Sequence, residues 1–559
     1  MITLNNINLS SIDLSGIDLR GIKLGLGGRG GGSGDGFPQL PGDVTRWHFG
    51  GLTNEMMAAM DDPRIEDADH KGRFLSFKNF AWKEGSGISD VYPGALVFDG
   101  VDDYGVCENF PILTKEKGYT VVALRQWITR GERALGLVSN VKNWLHDGAF
   151  LLEYRNIQAD HLNKSISFGA IGSEMDLPHI LTYQTSKSYN GVPITTGNFE
   201  GTDVLHVGKL APTNVGTCIN AAIWEIVILD HDATEEELTK IKDYFVKTYP
   251  WLFPDQAWTV VGKTNEDEDR ATIANITGNG NDLVLSNFGF AEGSGYGLYK
   301  LNFNNWFANS GSGNVNIVNV VNPHKIVLEQ SQEAVGAFFL GKNVSYSGEL
   351  KISVSNKPSD IELSFGSTAL GKVILNEGIN IVKINPVNTS IGFFTNKAFE
   401  AQNIIIEQIP EYEGYLVTDG VDDSGRAVGL TISKDFTLVG EWILFSKTQV
   451  NAGLSIHPQI HIFNRPEAIQ ITFRTAGKTL PVKSLKVICS DGRCYDENWN
   501  EFKINVGEFI SSNGILYVAS NGTYHAQIAF KNLGIYNDQI FSKDDCIKAY
   551  NYLQTLKAK

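Results

Sequence analysis

Short apolar runs, alternating with polar positions or continuous over four to eight residues and broken by Gly, Asn and Asp, recur along most of the chain. This pattern predicts β-strands joined by turns, with few helices. One stretch organises the rest: Ala95-Leu96-Val97-Phe98 runs into Asp99-Gly100-Val101-Asp102-Asp103, an apolar strand entering an Asp-Gly turn, which is a hairpin signature. Nearly the same residues return as Val417-Thr418-Asp419-Gly420-Val421-Asp422-Asp423. The chain carries one module twice.

Further matches flank the hairpins in register. Asn79-Phe80-Ala81-Trp82-Lys83-Glu84-Gly85-Ser86-Gly87 corresponds to Asn287-Phe288-Gly289-Phe290-Ala291-Glu292-Gly293-Ser294-Gly295. Asn190-Gly191 and Asp491-Gly492 read as equivalent turns, followed by Val207-Gly208-Lys209-Leu210 and Val506-Gly507-Glu508-Phe509. Each unit is expected to end in its only clear helix. Thr234 and Glu237 make a capping box, Leu238, Ile241 and Phe245 a buried stripe, and Pro250 a stop. In the second copy Ser542 and Asp545 cap the helix, and Cys546, Ala549 and Leu553 form its stripe.

In the first unit the matched preamble leads straight into the hairpin. In the second, residues 299–408 intervene, with apolar runs at Leu350 to Val354, Ile361 to Phe365, Lys372 to Leu375, Ile379 to Ile384 and Asn403 to Gln408. Regular spacing of this kind predicts an inserted β-sandwich.

The N-terminus obeys a different rule. Ile2, Ile7, Ile12, Ile17 and Ile22 are each followed two positions later by Leu4, Leu9, Leu14, Leu19 and Leu24, a strict five-residue period. Gly25 to Gly36 is glycine-rich and contains G-x-G-x-x-G, but no βαβ context surrounds it, so it reads as a flexible linker. The expected organisation is an arm at 1–24, a linker at 25–46, a first unit at 47–254, a second-unit preamble at 255–298, the insert at 299–408 and the second unit at 409–559. Residues 37–254 and 255–559 are expected to fold separately.

Composition sharpens this picture. A chain of 559 residues exceeds the roughly 250 to 300 at which single cores stop growing. A net charge of −16 leaves no basic stripe for nucleic acid. No apolar run is long enough to span a bilayer, and the first residues lack the basic and apolar regions of a signal peptide, so neither membrane insertion nor export is expected. Of five Cys, Cys107, Cys218 and Cys546 stand apart, while Cys489 and Cys494 flank an Asp-Gly turn that would set them opposite each other as a reduced surface pair or a disulfide.

The repeated unit resembles the laminin-G-like, or concanavalin-like, jelly-roll modules. Leu96-Val97-Phe98-Asp99-Gly100-Val101-Asp102-Asp103-Tyr104 is similar to their entry hairpin, and Ile223 to Leu229 followed by Ala233-Thr234-Glu235-Glu236-Glu237-Leu238 to their closing strand and helix start. The second copy departs from it with Ser424 in place of the Tyr. Ile12-Asp13-Leu14-Ser15-Gly16-Ile17-Asp18-Leu19-Arg20-Gly21 resembles the pentapeptide-repeat family, with bulky Ile where that family places a small residue. The aromatic preamble joined to such a module is similar to structural proteins of tailed phages of gut Bacteroidetes, including crAss-like phages. The fold implied is mainly β and multi-domain: two concanavalin-like jelly-roll sandwiches each ending in one helix, an inserted β-sandwich and an extended or β-repeat arm.

Candidate chemistry is sparse. Asp99, Asp102, Asp103 and Asp419, Asp422, Asp423 have the oxygens that Ca²⁺ prefers, or would line a glycan-binding rim, but Asp and Gly also suit a tight turn for local reasons, which is the simpler reading. No other cofactor is expected. The sequence lacks H-E-x-x-H, G-x-S-x-G and zinc-spaced Cys and His; the eleven His are scattered, and the pairs Asp69-His70 and Asp160-His161 are too common to signify. Tyr104, Trp144 and Tyr189 are candidate sugar-stacking rings. No catalytic residues are assigned. The expected function is a non-enzymatic phage virion protein, a head or tail fibre or appendage made in the host cytoplasm. Leu9, Ile12, Leu14, Ile17 and Leu19 would dock it onto other virion proteins or other copies of itself, and its modules would bind bacterial surface polysaccharide. The alternatives are a tailspike-like polysaccharide depolymerase and a bacterial surface glycan-binding protein.

Overall fold

The computed structural model of the chain describes residues 36–558 except 115, 130–134, 142–147, 155–157, 162–163, 168–177, 185–187, 190–200, 210–217, 309–315, 331–335, 397–402, 446–450, 458–459, 466–467, 474–475, 483, 507–510 and 521–524. The five-residue repeat with Leu9, Ile12, Leu14, Ile17 and Leu19, most of the glycine linker, the Asn190-Gly191 turn, Leu210, Gly507 to Phe509, Trp144 and the Tyr189 side chain lie outside the described residues.

The protein is mainly β, built from antiparallel sheets in three pairs. In the first unit, one seven-stranded sheet runs Ser188–Tyr189, His179–Gln184, Thr120–Trp127, Asn220–Leu229, Leu96–Asp99, Gly87–Ile88, with Val44–His48 also paired to Asn220–Leu229. Its eight-stranded partner runs Lys164–Ser167, Gln158–His161, Gly148–Tyr154, Leu135–Val141, Val204–Val207, Tyr104–Glu108, Phe74–Lys78, Arg64–Glu66.

The second unit repeats this order strand for strand. Gly295–Leu298, Glu411–Val417, Ile528–Asn537, Phe436–Leu444, Leu485–Cys489 and Arg493–Asp496 match the first sheet in reverse, with Glu501–Lys503 added at the edge and Gln256–Thr259 paired to Ile528–Asn537. Even an irregularity recurs: the long closing strand is bulged at Trp224 in one copy and at Lys531 in the other.

Alternation decides what each strand buries. Leu96 and Phe98 face the sandwich interior with Leu75 and Val207, whereas Ala95 and Val97 face the opposite side with Trp224 and Phe245. Both faces are covered, so the strand reads as continuously apolar. The cover is the helix Glu235–Thr248, whose capping box is formed as the sequence predicts: Thr234 Oγ1 accepts from the Glu237 amide at 3.3 Å, and a Glu237 carboxylate oxygen accepts from the Thr234 amide at 2.7 Å. Leu238, Ile241 and Phe245 are buried, and Pro250 opens a short 3-10 turn after the helix. In the second copy the helix Lys543–Gln554 is capped by Ser542 and buries Cys546, Ala549 and Leu553. Each unit thus ends in one helix as expected, and a short further helix, Asn54–Ala58, capped by Thr53, lies near the start of the first. No described helix is long and apolar enough to cross a membrane.

The cysteines overturn a second expectation. The hairpin at Asp491-Gly492 pairs Ile488, not Cys489, with Cys494. Neighbouring residues of a strand point to opposite faces, so Cys489 packs on the helix side and Cys494 inside the sandwich. Both are free and fully buried, neither a disulfide nor a surface pair.

The insert supplies two five-stranded sheets. One runs Phe307–Ala308, Gly336–Val344, Thr389–Thr395, Leu363–Ser367, Gly371–Leu375, and the other Asn316–Asn322, Lys325–Gln330, Ile404–Ile409, Leu350–Ser355, Gly378–Val382. Between them lies a core that includes Phe303, Ile352, Phe365 and Phe393. The insert leaves the second unit after Gly295–Leu298 and returns at Glu411–Val417, two strands that pair with each other.

Candidate functional site

The repeated Asp stretch and the repeated preamble form a single clasp in each unit. Asp99 Oδ1 accepts from the amides of Val101 at 2.8 Å and Asp102 at 3.3 Å, while Asp103 Oδ2 accepts from the Asp99 amide at 3.1 Å. In the second unit Asp419 Oδ1 accepts from Val421 at 2.8 Å and Asp423 Oδ2 from the Asp419 amide, also at 2.8 Å. The preamble closes over this turn: Asn79 Nδ2 donates to the Asp102 carbonyl at 2.9 Å and Asn287 Nδ2 to the Asp422 carbonyl at 3.0 Å. Gly100 and Gly420 hold φ of +79° and +78°, where a side chain would be strained and would press on Asn220 or Gln527.

Each triad brings its carboxylate oxygens within 4.8 Å of one another. Asp103 and Asp423 are fully buried, and burial pushes both carboxyls up to about 6 against the hydrogen bonds they accept. In the second triad both oxygens of the buried member are engaged, because Oδ1 of Asp423 accepts from Ser294 Oγ at 3.0 Å. The exposed Asp102 and Asp422 are the carboxylates the turn leaves open to a cation. The geometry is that of a turn lock, which accounts for the residue types without a ligand.

A second site lies where the second unit meets the insert. A cleft of about 790 Å³ is bounded on the unit's side by Val261 to Thr264, Glu266, Tyr296, Gly297 and Lys531, and on the insert's side by Asn322, His324, Ser353, Ile379 and Glu407. Tyr299 and Glu413 line it from the two connections between these bodies. Ligand sites favour such junctions, at volumes of about 300–1,000 Å³. Gly297, at φ +83°, lets the chain pass so close to Pro410 that a Cβ would lie 2.6 Å from it. Lys531, at the bulge of its strand, also lines the cleft, and its ammonium lies 3.5 Å from Glu441 and over the Tyr415 ring.

At the centre, Tyr299 stacks face to face on His324, with centroids 3.4 Å apart and planes 9° from parallel. His324 is 3% exposed, and its ring nitrogens make no well-formed hydrogen bond; burial draws its pKa down to about 4, leaving it neutral. The Tyr299 hydroxyl is pushed up to about 12 by burial and by Glu266, Glu407 and Glu413. Lys263 pairs with Asp269 at 2.6 Å and Glu407 with Lys325 at 3.0 Å. A smaller groove of about 460 Å³ separates the two long helices and is lined by Val246, Lys247, Ile540 and Phe541.

None of the cleft's central residues was a sequence-level candidate. Of the rings that were, Tyr104 is half-buried beneath Lys209, whose Nζ sits 4.3 Å from the ring centroid. His70, next to Asp69, is exposed and bonded to Glu66 at 3.1 Å. The cleft draws on segments near 261–266, 296–299, 322–324 and 407–414, so no local motif could mark it.

No protein-family model matches the chain, and no curated protein does either. Among solved structures, a Trypanosoma rangeli sialidase in complex with sialic acid is similar at 12% identity and a TM-score of 0.27, covering 36% of this chain and 32% of that one. The chain thus spans about a third of the length of that sialidase. The botulinum neurotoxin type G receptor-binding domain is similar at 10% identity and a TM-score of 0.25, covering 69% of this chain and 86% of that domain. The binding domain of botulinum neurotoxin DC in complex with SialylT gives 8% identity and a TM-score of 0.24 over 88% of this chain and 93% of that one.

Proposed function

We propose that this chain is a non-enzymatic virion protein of a tailed phage, a fibre or appendage that attaches through its N-terminal arm and presents glycan-binding β-modules to the bacterial surface. Its units are then the arm at 1–24, a glycine-rich linker from 25 that gives way at Val44–His48 to the first jelly-roll module, which runs to 254, a second module at 409–559 with its preamble at 255–298, and an inserted sandwich at 299–408. The observation that carries the binding role is the cleft, where a positioned aromatic ring stands among carboxylates at a junction of two β-bodies. Aromatic rings stack on the CH faces of sugars, and carboxylates accept from their hydroxyls. The virion role rests on the resemblance of preamble and module, together with the arm. Ten large apolar side chains in 24 residues would each forfeit on the order of 1.5 to 3 kcal/mol if left in water, so the arm calls for a partner surface: other copies, or a collar or capsid protein.

Two measurements test this. Mass spectrometry of purified particles should find peptides of this chain, and Leu14→Asp with Leu19→Asp should remove them while the modules stay folded. Purified protein should retain host polysaccharide on a surface without releasing new reducing ends. Absence from particles defeats the virion role, and steady release of reducing ends makes the protein a depolymerase.

A further inference from the structure

We infer that the cleft between the second unit and the insert takes a saccharide free of acidic groups and turns its anionic counterparts away; this rests on the glycan-binding reading above. The first support is the fixed ring. His324 covers one face of Tyr299 at 3.4 Å and is itself buried, so the ring is held in place and a ligand in the cleft meets its other face. A ring ordered before binding loses little entropy on binding, as a sugar platform requires.

The second support is charge. The charged residues lining the cleft are Glu266, Glu407 and Glu413, all exposed, and Lys263 and Lys531. Both ammoniums are already paired, Lys263 with Asp269 at 2.6 Å and Lys531 with Glu441 at 3.5 Å, and Glu407 is paired with Lys325 at 3.0 Å. Glu266 and Glu413 have no ion-pair partner among the described residues. They are therefore free to accept hydroxyl donors through charge-assisted hydrogen bonds, and they repel a uronate or sialate brought against the same ring. The field of a chain with a net charge of −16 acts in the same sense. Val261, Ile379, Ile409 and Pro410 add apolar lining, and about 790 Å³ is room for a short oligosaccharide.

The test titrates the full chain with neutral oligosaccharides and with the same oligosaccharides carrying a uronate or sialate, at physiological and at low salt. Neutral members should bind, and acidic ones should bind about tenfold more weakly, with the gap widening at low salt where screening weakens. Glu266→Gln with Glu413→Gln, both on exposed positions, should narrow the gap. Tyr299→Ala should abolish binding, and Ile379→Trp, which fills the cleft from its rim, should do so without disturbing the ring stack. Acidic members that bind the wild type as tightly as neutral ones overturn the inference. Neutral binding that survives both Tyr299→Ala and Ile379→Trp also overturns it while leaving the glycan-binding role intact, with the site elsewhere. If no oligosaccharide of any charge binds, both fall together.

Discussion

Ser294 Oγ donates to the buried Oδ1 of Asp423 at 3.0 Å, joining residues 129 positions apart across the whole inserted sandwich. Ser294→Ala would leave that oxygen buried without a partner, at a cost of about 1–3 kcal/mol. Urea unfolding of the wild type and the variant should show a lower midpoint for the variant at unchanged slope. An unchanged midpoint would mean that the clasp adds nothing to stability.

The two clasps should also give the protein an unusual response to pH. Asp103 and Asp423 are raised by burial from 3.8 to about 6, so between those values the folded chain holds protons that the unfolded chain has released. Their contribution to stability therefore grows as pH falls from 7 towards 4. Asp269 and Glu349, held low by hydrogen bonds from Lys263 and Lys383, act in the opposite direction, so the comparison must be made against a variant. With Asp103→Asn and Asp423→Asn, the Tm at pH 5 relative to pH 7 should drop by a few degrees compared with the wild type. Identical shifts in both proteins would refute the assignment.

Thiol chemistry gives a simple check on the sheet register. All five cysteines are free and buried, and burial pushes Cys107 up to about 12 and Cys218 to about 11. Ellman's reagent should label none of them in native buffer and all of them in denaturant. A disulfide between Cys489 and Cys494 on mass mapping would require a register other than the one in which Ile488 faces Cys494.

Cutting the chain at residue 254 should weaken the second unit. The Tyr536 hydroxyl donates to the Trp251 carbonyl at 2.9 Å, Lys548 Nζ lies 4.2 Å from the Trp251 ring, and one buried cluster holds Tyr249, Trp251 and Leu252 together with Tyr536, Cys546 and Tyr552. A fragment of residues 255–559 should melt cooperatively but several degrees below the corresponding transition of the full chain, because Tyr536 and Tyr552 lose part of their cover. Equal melting temperatures would show that the shared cluster contributes nothing.

Features dictated by local chemistry were legible in the sequence. The Thr234 and Ser542 caps and the five apolar runs of the insert are each specified within a few residues, and the structure places a helix start or a strand at each. The chain also turns at Asp99-Gly100 and Asp419-Gly420, but the hairpins expected there do not form: Leu96–Asp99 and Tyr104–Glu108 lie in different sheets, as do Glu411–Val417 and Ser424–Ile432, so each turn carries the chain from one sheet to the other. Features that depend on distant partners were not legible. Arg46 and Glu225 are fully buried and bonded at 2.9 Å, but 179 residues separate them and neither carries a mark of it. Cys489 and Cys494 looked opposed because a two-residue turn at Asp491-Gly492 would pair them, whereas the connection closes one residue longer and sets Ile488 against Cys494. Tyr299 and His324 meet only because the turn after Asn316–Asn322 returns to the segment that enters the insert.

Because Leu298 and Glu411 are paired across neighbouring strands, the insert begins and ends at almost the same point. The host strands are therefore joined whatever lies between, and a two-residue turn would close the gap as well as a whole sandwich does. The corresponding place in the first unit, between Gly87–Ile88 and Leu96–Asp99, is spanned by a short loop. The fold thus contains two equivalent sockets, one filled and one plain. Exchange of the sandwich in the filled socket would alter what the cleft recognises while the scaffold around it keeps its strands, its clasp and its helix.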